Sequence, residues 1–577
     1  MIGLNKIGLN QVLLNRLRLN APFPAYGKMA GGGGSGDGFP QLPGDVTRWH
    51  FGGLTNEMMA AMDDPRIEDA DHKGRFLSFK NFAWGGMSGV GGYTENYNSN
   101  RWYKVETRID ATWTYKSFNA RSIKDNIAAQ LFYQSKSSDT GFRVLSCTIK
   151  VSGLTDGQGI EYVSNGTQQF VIMRIENDGI YHLPSFDFGA KNAYYGFWFL
   201  KLQESCNITI EQLPLYPGAL VFDGVDDRGT CDNFPVLTKE KGYTVVALRQ
   251  WDQDFLNTTL TGGLLSTRNY STGEGVAFEK IESSNKGYWN LGAGGIIDFA
   301  KSPFTWQTSK QYNNVGILKG DKNHGKPLCV GCGLSGGQQC GRFAIWELVF
   351  LDHDATEEEL TKIKDYFVKT YPWLFPDQAW TVVGKTNEDE DRATIANITG
   401  NGNDLVLSNF GFAEGSGYNE EGEYAGYLVT DGVDDKIVSS IFKLGKDFTV
   451  VGEWEFLQDI NNNSGLRKTS SFIIRNNGSG LSLFINRTSQ ATTVFNVKSL
   501  KAFCSNGLLV KNDWTEQIDT VSQIVTSSNS KLSIACRDDG VTEYDKFAFK
   551  NLAIYPMVLS KDDCIKAYNY LQTLKAK

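Results

Sequence analysis

A five-residue sequence, Asp-Gly-Val-Asp-Asp, occurs twice in the chain, at residues 223–227 and at residues 431–435. Each copy follows a short apolar run of the kind that forms a strand. Asp-Gly after such a run indicates a tight turn, because glycine adopts positive φ freely and aspartate bonds its own backbone. A β-rich run follows each copy and leads to a tryptophan, Trp251 in the first and Trp454 in the second. The sequence therefore predicts two versions of one strand–turn–strand frame.

The bulk properties of the chain limit its class. Its 577 residues exceed what a single core supports and predict three or four domains. The 62 glycines and 12% aromatic content favour an all-β fold. The net charge of −8, without a Lys/Arg cluster, argues against nucleic-acid binding. No apolar run reaches the roughly 18–20 residues of a membrane helix, so no membrane insertion is expected. Nine scattered cysteines predict reduced thiols in a protein assembled in a cytoplasm.

The first 28 residues contain a five-residue repeat of apolar, any, apolar, Asn, any. This period fits neither a helix nor a plain strand and indicates a coil of short strands that bends at each Asn. Four units cannot bury their own apolar side chains, so we expect a larger assembly or another copy to cover this arm; a mobile tail is the alternative. Residues 29–44 predict a Gly/Pro tether, and the start of the chain lacks the pattern of a signal peptide. The predicted anchoring residues are Ile2, Leu4, Ile7, Leu9, Val12, Leu14, Leu17 and Leu19.

Two stretches of the chain align with each other without a gap. Residues 49–57 match 380–388 through Trp, Gly and Thr-Asn-Glu, and residues 67–89 match 395–417. The first copy then carries about 120 residues more than the second before its acidic turn. The alternating patterns of this extra stretch predict a β-sandwich inserted in a loop. The predicted domains are 1–28, the arm; 29–44, the tether; 45–95, the first part of module 1; 96–215, the insert; 216–376, the second part of module 1; and 377–577, module 2.

Both modules close in the same way, with an apolar strand followed by a helix whose first turn is acidic or Ser-capped. An apolar run into Asp-Gly-Val-Asp-Asp, a Thr-Val-Val strand and this ending together resemble the concanavalin A-like jelly-roll of the laminin-G/pentraxin type. The resemblance implies a two-sheet sandwich that often binds glycans, sometimes with calcium. The predicted fold is thus all-β: two such sandwiches, the first interrupted by an inserted β-sandwich, with an N-terminal repeat arm. The arm, the tether and tandem jelly-rolls also resemble appendage proteins of tailed phages, including those of gut Bacteroides.

The acids of the two turns offer oxygen ligands of the kind that calcium binds. The alternative is that their side chains cap backbone amides of the turn. A second candidate, zinc on His324, Cys329, Cys332 and Cys340, rests on a single Cys-x-x-Cys, and plain loop thiols are the alternative. The candidate calcium ligands are Asp223, Asp226, Asp227, Asp431, Asp434 and Asp435.

The sequence shows no recognisable catalytic constellation. A glycoside hydrolase needs two carboxylates across the scissile bond, and the Glu-x-Asp-x-x-Glu pattern of family-16-like enzymes is not found. Glu453 and Glu455 share a strand face beside Trp454, but a solvated pair is the alternative. We therefore predict that the chain is not an enzyme. Sugar rings are usually held by exposed aromatic side chains, and the candidates for glycan contact are Trp102, Tyr103, Tyr194, Tyr195 and Trp198, with burial in the core as the alternative.

Together these features predict a non-catalytic structural and adhesion protein of a virion, assembled in the host cytoplasm. It would bind other virion proteins through residues 1–28, form a homo-oligomer and display modules that bind cell-surface glycans. No cofactor other than a possible calcium ion is expected. Two alternatives remain open: a polysaccharide-degrading enzyme with lectin-like modules, and a free carbohydrate-binding lectin.

Overall fold

The computed structural model describes residues 38–576 of the chain, with gaps. The predicted arm and the tether up to residue 37 lie outside the described residues, so the predictions for them stay predictions. The gaps are residues 105–108, 126, 135–141, 166–169, 185, 189–193, 237–242, 257, 259, 261, 268–276, 281–285, 290–295, 299–326, 333–338, 421–423, 459–463, 469–470, 477–479, 486–491, 496–498, 513, 519–527 and 538–543.

We call residues 45–95 with 216–376 module 1, residues 96–215 the insert, and residues 377–577 module 2. Module 1 begins with β1 (Val46–His50), α1 (Asn56–Ala60), β2 (Arg66–Glu68), β3 (Phe76–Lys80) and β4 (Gly89–Val90). The insert contains β5 (Trp102–Lys104), β6 (Ile109–Trp113), β7 (Ser117–Ser122), β8 (Ile127–Gln134), β9 (Phe142–Val144), β10 (Cys147–Ser152), β11 (Gly159–Ser164), β12 (Val171–Ile175), β13 (Gly179–Leu183), β14 (Phe186–Phe188), β15 (Tyr194–Leu202) and β16 (Asn207–Gln212).

Module 1 continues with β17 (Leu220–Asp223), β18 (Arg228–Cys231), β19 (Thr244–Trp251), α2 (Gln253–Leu256), β20 (Gly262–Ser266), β21 (Ala277–Lys280), β22 (Lys286–Trp289), β23 (Ile296–Asp298), β24 (Leu328–Val330), β25 (Arg342–Leu351), α3 (Glu357–Thr370) and a 3-10 turn, Pro372–Leu374. Module 2 contains β26 (Gln378–Thr381), β27 (Thr394–Ile395), β28 (Leu405–Ser408), β29 (Gly417–Tyr418), β30 (Leu428–Val429), β31 (Lys436–Ser439), β32 (Phe442–Leu444), β33 (Thr449–Phe456), β34 (Ser464–Lys468), β35 (Phe472–Asn476), β36 (Gly480–Ile485), β37 (Thr492–Phe495), β38 (Leu500–Cys504), β39 (Leu508–Lys511), β40 (Glu516–Ile518), β41 (Ser528–Ser530), β42 (Leu532–Ile534), β43 (Phe547–Tyr555) and α4 (Lys561–Leu571).

The chain is almost entirely β, and this confirms the predicted fold class. Module 1 has two antiparallel sheets, β1-β25-β17-β4 with β19 on the other edge of β25, and β2-β3-β18-β24-β20-β21-β22-β23. Strands from before and after the insert share both sheets, since β1 and β17 both pair with β25, and β3 pairs with β18. The strand pairing therefore joins residues 45–95 to residues 216–376. The exact domain boundaries stay a prediction.

The core of module 1 lies between its two sheets. Strand β25 is buried from Phe343 to Leu351 because both of its faces are covered. Phe343 and Ile345 point into the core, whereas Val349 and Leu351 pack against α3. Helix α3 begins with a capping box, in which Thr356 and Glu359 satisfy each other's backbone amides. Its apolar residues three and four positions apart form one buried face: Leu360, Ile363 and Phe367.

Module 2 repeats this plan. Its sheets are β29-β30-β43-β33-β38-β39-β40, with β26 on β43, and β27-β28-β31-β42-β34-β35-β36-β37. Their inner faces form one apolar core. Helix α4 begins at the predicted N-cap Ser560, whose hydroxyl accepts the amide of Asp563 at 3.1 Å. Among the described residues no helix is long and apolar enough to span a membrane.

The insert also consists of two packed sheets, β13-β10-β16-β7-β6 and β12-β11-β15-β8-β5. Ile149 and Phe118 from the first sheet and Ile160 and Phe197 from the second meet in its core. The insert is thus a β-sandwich with its own core. The concanavalin A-like assignment of the two modules stays a prediction.

Candidate functional site

The acidic turn of module 1 is held by its last aspartate. Asp227 is fully buried, and its Oδ2 accepts the backbone amide of Asp223 at 3.0 Å. Its Oδ1 accepts the hydroxyl of Ser88 at 2.9 Å. Ser88 in turn accepts the backbone amide of Ala83 at 2.8 Å. The turn at 223–227 is therefore tied to the chain before the insert through one buried carboxylate.

The turn of module 2 has the same bonds. Asp435 accepts the backbone amide of Asp431 at 2.8 Å and the hydroxyl of Ser416 at 3.1 Å. Asn409, with a φ of 70°, donates to the carbonyl of Asp434 at 3.0 Å. Asn81 in module 1, also with a φ of 70°, makes the corresponding bond at 3.1 Å. The two segments that align in sequence thus hold the two turns by the same side chains.

The carboxylates of each turn lie close enough together to contact one cation. The ligand oxygens of Asp223, Asp226 and Asp227 lie within 4.8 Å of one another, as do those of Asp431, Asp434 and Asp435. However, both oxygens of Asp227 and of Asp435 already accept hydrogen bonds, one from a backbone amide of the turn and one from a serine hydroxyl. Calcium takes 6–8 oxygen ligands. The geometry favours the interpretation in which these aspartates accept hydrogen bonds within the turn.

Burial changes the acidity of the two turn carboxyls. Removal from water, which outweighs the hydrogen bonds they accept, raises the pKa of Asp227 to about 7 and that of Asp435 to about 6. A carboxyl whose folded-state pKa lies above its unfolded value binds its proton more tightly in the folded state. Its stabilisation is therefore complete below about pH 4 and is lost as the pH rises through the folded-state pKa.

We accordingly expect the contribution of Asp227 to the free energy of unfolding to fall between about pH 4 and about pH 7. Melting temperatures measured across this range should decline less steeply in Asp227→Asn than in the wild type. Asp226→Asn, at the exposed neighbouring position, removes only the smallest of the contributions that raise the pKa of Asp227, so its slope should stay close to that of the wild type. Equal slopes in the wild type and Asp227→Asn would contradict the raised pKa.

Two of the five aromatic side chains predicted to contact glycans lie in the core of the insert, and those predictions are wrong. Trp102 is 7% exposed and Tyr195 is 1% exposed, and their rings meet edge to face at 5.7 Å. The cause is strand alternation, because Tyr195, Phe197 and Phe199 on β15 all point inward. Tyr195 and Trp102 therefore stabilise the insert and are closed to a ligand.

The other three candidates lie on the opposite face of the same sheet. Tyr194 and Trp198 alternate with the inward residues of β15, and Tyr103 alternates with Trp102 on β5; all three are half-buried. The ring of Phe132 on β8 stacks on Tyr194 with centroids 4.6 Å apart. Tyr103 lies directly opposite Phe132 in the strand register. These residues line one outer face.

Two aromatic residues on this side of the sheet were missed in the sequence. Phe132, which is only 2% exposed, lies between Tyr103 and Gly196 in register, and a Cβ on Gly196 would lie 3.1 Å from its ring. The glycine therefore makes room for Phe132. Phe170, which is 41% exposed, meets Trp198 edge to face at 5.8 Å. We call this surface the aromatic face and define it by Tyr103, Phe170, Tyr194 and Trp198; Phe132 is buried against Tyr194 and supports it.

A buried ionic network in module 1 also escaped sequence analysis. Glu347 on β25 is fully buried and lies 3.5 Å from the guanidinium of Arg48, which is 1% exposed. Its other oxygen lies 2.5 Å from Nδ1 of His50 and accepts the hydroxyls of Tyr371 at 3.0 Å and Tyr366 at 3.3 Å. Only His50 reaches the surface, with 23% of its side chain exposed. The network ties β1 to β25 and α3.

Glu453 is not the solvated carboxylate that the sequence suggested. It is buried in the sheet of module 2, with the ammonium groups of Lys501 and Lys550 each 3.5 Å away. Burial alone would raise the pKa of Glu453, but the two lysines outweigh it and hold this pKa well below the usual range. His182 of the insert lies beside this group, and burial lowers its pKa to about 3, so it is neutral. Glu453 is therefore a buried, ion-paired group of module 2 and not one of a solvated pair.

Of the candidate zinc ligands, His324 lies outside the described residues. The three cysteines form a small buried cluster of their own.

Comparisons with known proteins leave the family open. No family model matches the chain, and no curated protein sequence matches it. Among solved structures, it is similar to the binding domain of botulinum neurotoxin serotype D, with 12% identity and a TM-score of 0.25, over 59% of this chain and 84% of that one. It is also similar to Trypanosoma rangeli sialidase in complex with sialic acid, with 8% identity and a TM-score of 0.22, over 80% and 83% of the two chains. At these scores the likenesses carry no argument about function.

The prediction that the chain is not an enzyme is corrected. Sialidase structures recur among the solved structures to which it is similar, so the prediction is withdrawn. An identity of 8% and a TM-score of 0.22 do not establish catalysis in its place.

Proposed function

We propose that this protein is a virion-associated adhesion protein that binds cell-surface glycans through the aromatic face of the insert. The observation that carries the proposal is the set of aromatic rings on one outer sheet face. Tyr103, Tyr194 and Trp198 are turned away from a core that is already filled by other aromatic residues. Aromatic faces stack on the apolar faces of sugar rings.

The polar groups around the aromatic face suit a carbohydrate. Trp198 lies opposite Gln130 on one side and Glu161 on the other in the strand register. Amide and carboxylate side chains next to aromatic rings provide the hydrogen bonds that orient a sugar in its site. The aromatic face thus combines apolar platforms with donors and acceptors at their edges.

The virion role rests on the start of the chain. The apolar repeat of residues 1–28 needs a covering partner, and a Gly-rich tether follows it. In this proposal the arm binds other virion proteins, the particle is assembled in the host cytoplasm, and the protein is a homo-oligomer. Deleting residues 1–28 should then prevent incorporation into particles while leaving glycan binding by the purified protein unchanged. Normal incorporation of the truncated protein would refute the anchoring role.

Glycan binding is tested by screening the purified protein on an array of bacterial and host glycans and measuring affinities by calorimetry. We expect Trp198→Ala and Tyr194→Ala each to weaken binding by about tenfold or more, because each removes a ring that stacks on a sugar. Phe76→Ala is the matched control, because Phe76 is an exposed aromatic residue of module 1, 38% accessible, outside the aromatic face.

The control should bind as tightly as the wild type. If the double variant with Trp198→Ala and Tyr194→Ala still binds glycan, the glycan site lies outside the aromatic face of the insert. Binding to no glycan on the array would refute the adhesion proposal itself.

A further inference from the structure

Three of the nine cysteines lie together in module 1. Cys329, Cys332 and Cys340 form a separate buried cluster, with exposures of 4%, 0% and 5%. Cys332 lies beside both Cys329 and Cys340. It also approaches the carbonyl oxygen of Asp227 at 3.6 Å, so the cluster lies directly behind the acidic turn.

The backbone holds two of these thiols opposite each other. Cys332 and Cys340 form an antiparallel β-bridge, and next to it the amide of Gly341 donates to the carbonyl of Gly331 at 2.8 Å. Residues directly opposite in an antiparallel pair have Cβ atoms about 4.5–5.5 Å apart, close to the roughly 3.5–4.5 Å of a disulfide. A small adjustment therefore brings the two sulfurs to bonding distance.

Module 2 shows that the fold does not require this cluster. The amide of Asp545 donates to the carbonyl of Ala535 at 2.9 Å, which matches the bond between Gly341 and Gly331. By this correspondence Cys536 takes the place of Cys332, while Ser533 and Tyr544 take the places of Cys329 and Cys340. Both modules thus have a cysteine at the position of Cys332, whereas module 1 alone has cysteines at the positions of Cys329 and Cys340.

We propose that Cys332 and Cys340 are a redox site that forms a reversible disulfide, with Cys329 as the alternative partner of Cys332. The oxidant is a small-molecule disulfide. The thiolate of Cys340 attacks one of its sulfur atoms, which forms a mixed disulfide and releases one small thiolate. The thiolate of Cys332 then attacks the sulfur of Cys340 and releases the second small thiolate. The two protons of the cysteines end on the two released thiols, so one disulfide is reduced for each one formed.

The exposure of the three thiols suits this order of events. Cys340 is 5% exposed and Cys329 is 4% exposed, whereas Cys332 is fully buried. The small-molecule disulfide therefore reaches Cys340 or Cys329 first, and Cys332 resolves the mixed disulfide.

The test is to incubate the native full-length protein with glutathione disulfide, quench with acid, alkylate free thiols under denaturing conditions and map the peptides by mass spectrometry. We expect two of the nine thiols to escape alkylation and a cross-link to join Cys332 to Cys340. Dithiothreitol should restore all nine. Cys536→Ser, the matched position in module 2, should leave this result unchanged.

In Cys340→Ser the cross-link should move to Cys329 and Cys332. This variant also keeps the proposal testable should replacement of the central Cys332 prevent folding. Nine alkylated thiols after oxidation would overturn the proposal. A cross-link confined to Cys504 and Cys564, two buried thiols of one cluster in module 2, would overturn it as well. Stoichiometric zinc that is retained by the three thiols and blocks their oxidation would equally refute it.

Discussion

Glu347→Ala is expected to lower the free energy of unfolding of module 1 by about 4 kcal/mol, because it leaves the buried cation of Arg48 without its carboxylate. The carboxylate is fully buried and Arg48 is 1% exposed, so water cannot replace the lost partner. The hydroxyls of Tyr366 and Tyr371 would lose their acceptor at the same time. Urea unfolding monitored by tryptophan fluorescence measures the change.

A surface carboxylate provides the control for this prediction. Glu358 on α3 pairs with Lys362 at 2.7 Å, but 77% of its side chain is exposed. Glu358→Ala should therefore cost no more than about 0.5 kcal/mol. Removing both buried partners, as in Arg48→Met with Glu347→Leu, should cost less than Glu347→Ala alone. A loss below about 1 kcal/mol in Glu347→Ala would contradict the buried network.

Asp227→Ala should destabilise module 1 by about 3 kcal/mol, because it leaves two buried donors without an acceptor. Those donors are the amide of Asp223 and the hydroxyl of Ser88. Asp435→Ala should have a similar effect on module 2, whose turn makes the same bonds. Differential scanning calorimetry with each variant will show which transition shifts to a lower temperature.

Asp226→Ala is the internal control, since Asp226 lies in the same turn with an exposed side chain. It should change stability by no more than about 0.5 kcal/mol. If Asp227→Ala and Asp226→Ala instead keep wild-type stability and both abolish binding of added calcium, the carboxylates of the turns would be ion ligands and not acceptors that stabilise the turns.

The parts of the fold that depend on local sequence could be predicted. Asp-Gly after an apolar run forms a turn for reasons contained in a few residues, and both acidic turns form where expected. The same holds for the N-cap at Ser560 and for the buried face of α3. Alternation divides the residues of β15 into two sets, so the neighbours Tyr194 and Tyr195 cannot both face outward. The pattern does not indicate which set faces the core, because that depends on the second sheet, and Tyr195 was misplaced as a glycan contact.

Long-range pairing explains what the sequence did not reveal. His50 and Glu347 are 297 residues apart, and His50 and Tyr371 are 321 apart, so no motif joins them. The sequence suggested that Trp251 and Trp454 occupy equivalent positions in the two modules, but the strand registers show that they do not. Trp251 lies opposite Phe343, and its counterpart is Phe456, which lies opposite Phe547. Strand β19 shifts its register on β25 between Leu248 and Arg249, and β33 shifts its register on β43 between Glu453 and Trp454. The sequence contains no pattern that indicates either shift.

The pairing of β1 with β25 has a consequence for biosynthesis. Val46 lies opposite Leu351, so the first strand of module 1 leaves the ribosome about 300 residues before its partner exists. At 5–20 residues per second this delay lasts on the order of 15–60 s. Every described strand pairing of the insert lies between Trp102 and Gln212, so the insert can finish folding during translation while β1 waits. The nascent chain therefore carries an unpaired β1, four of whose five residues are buried in the folded protein, for much of its synthesis, and this is the period in which a chaperone would be needed.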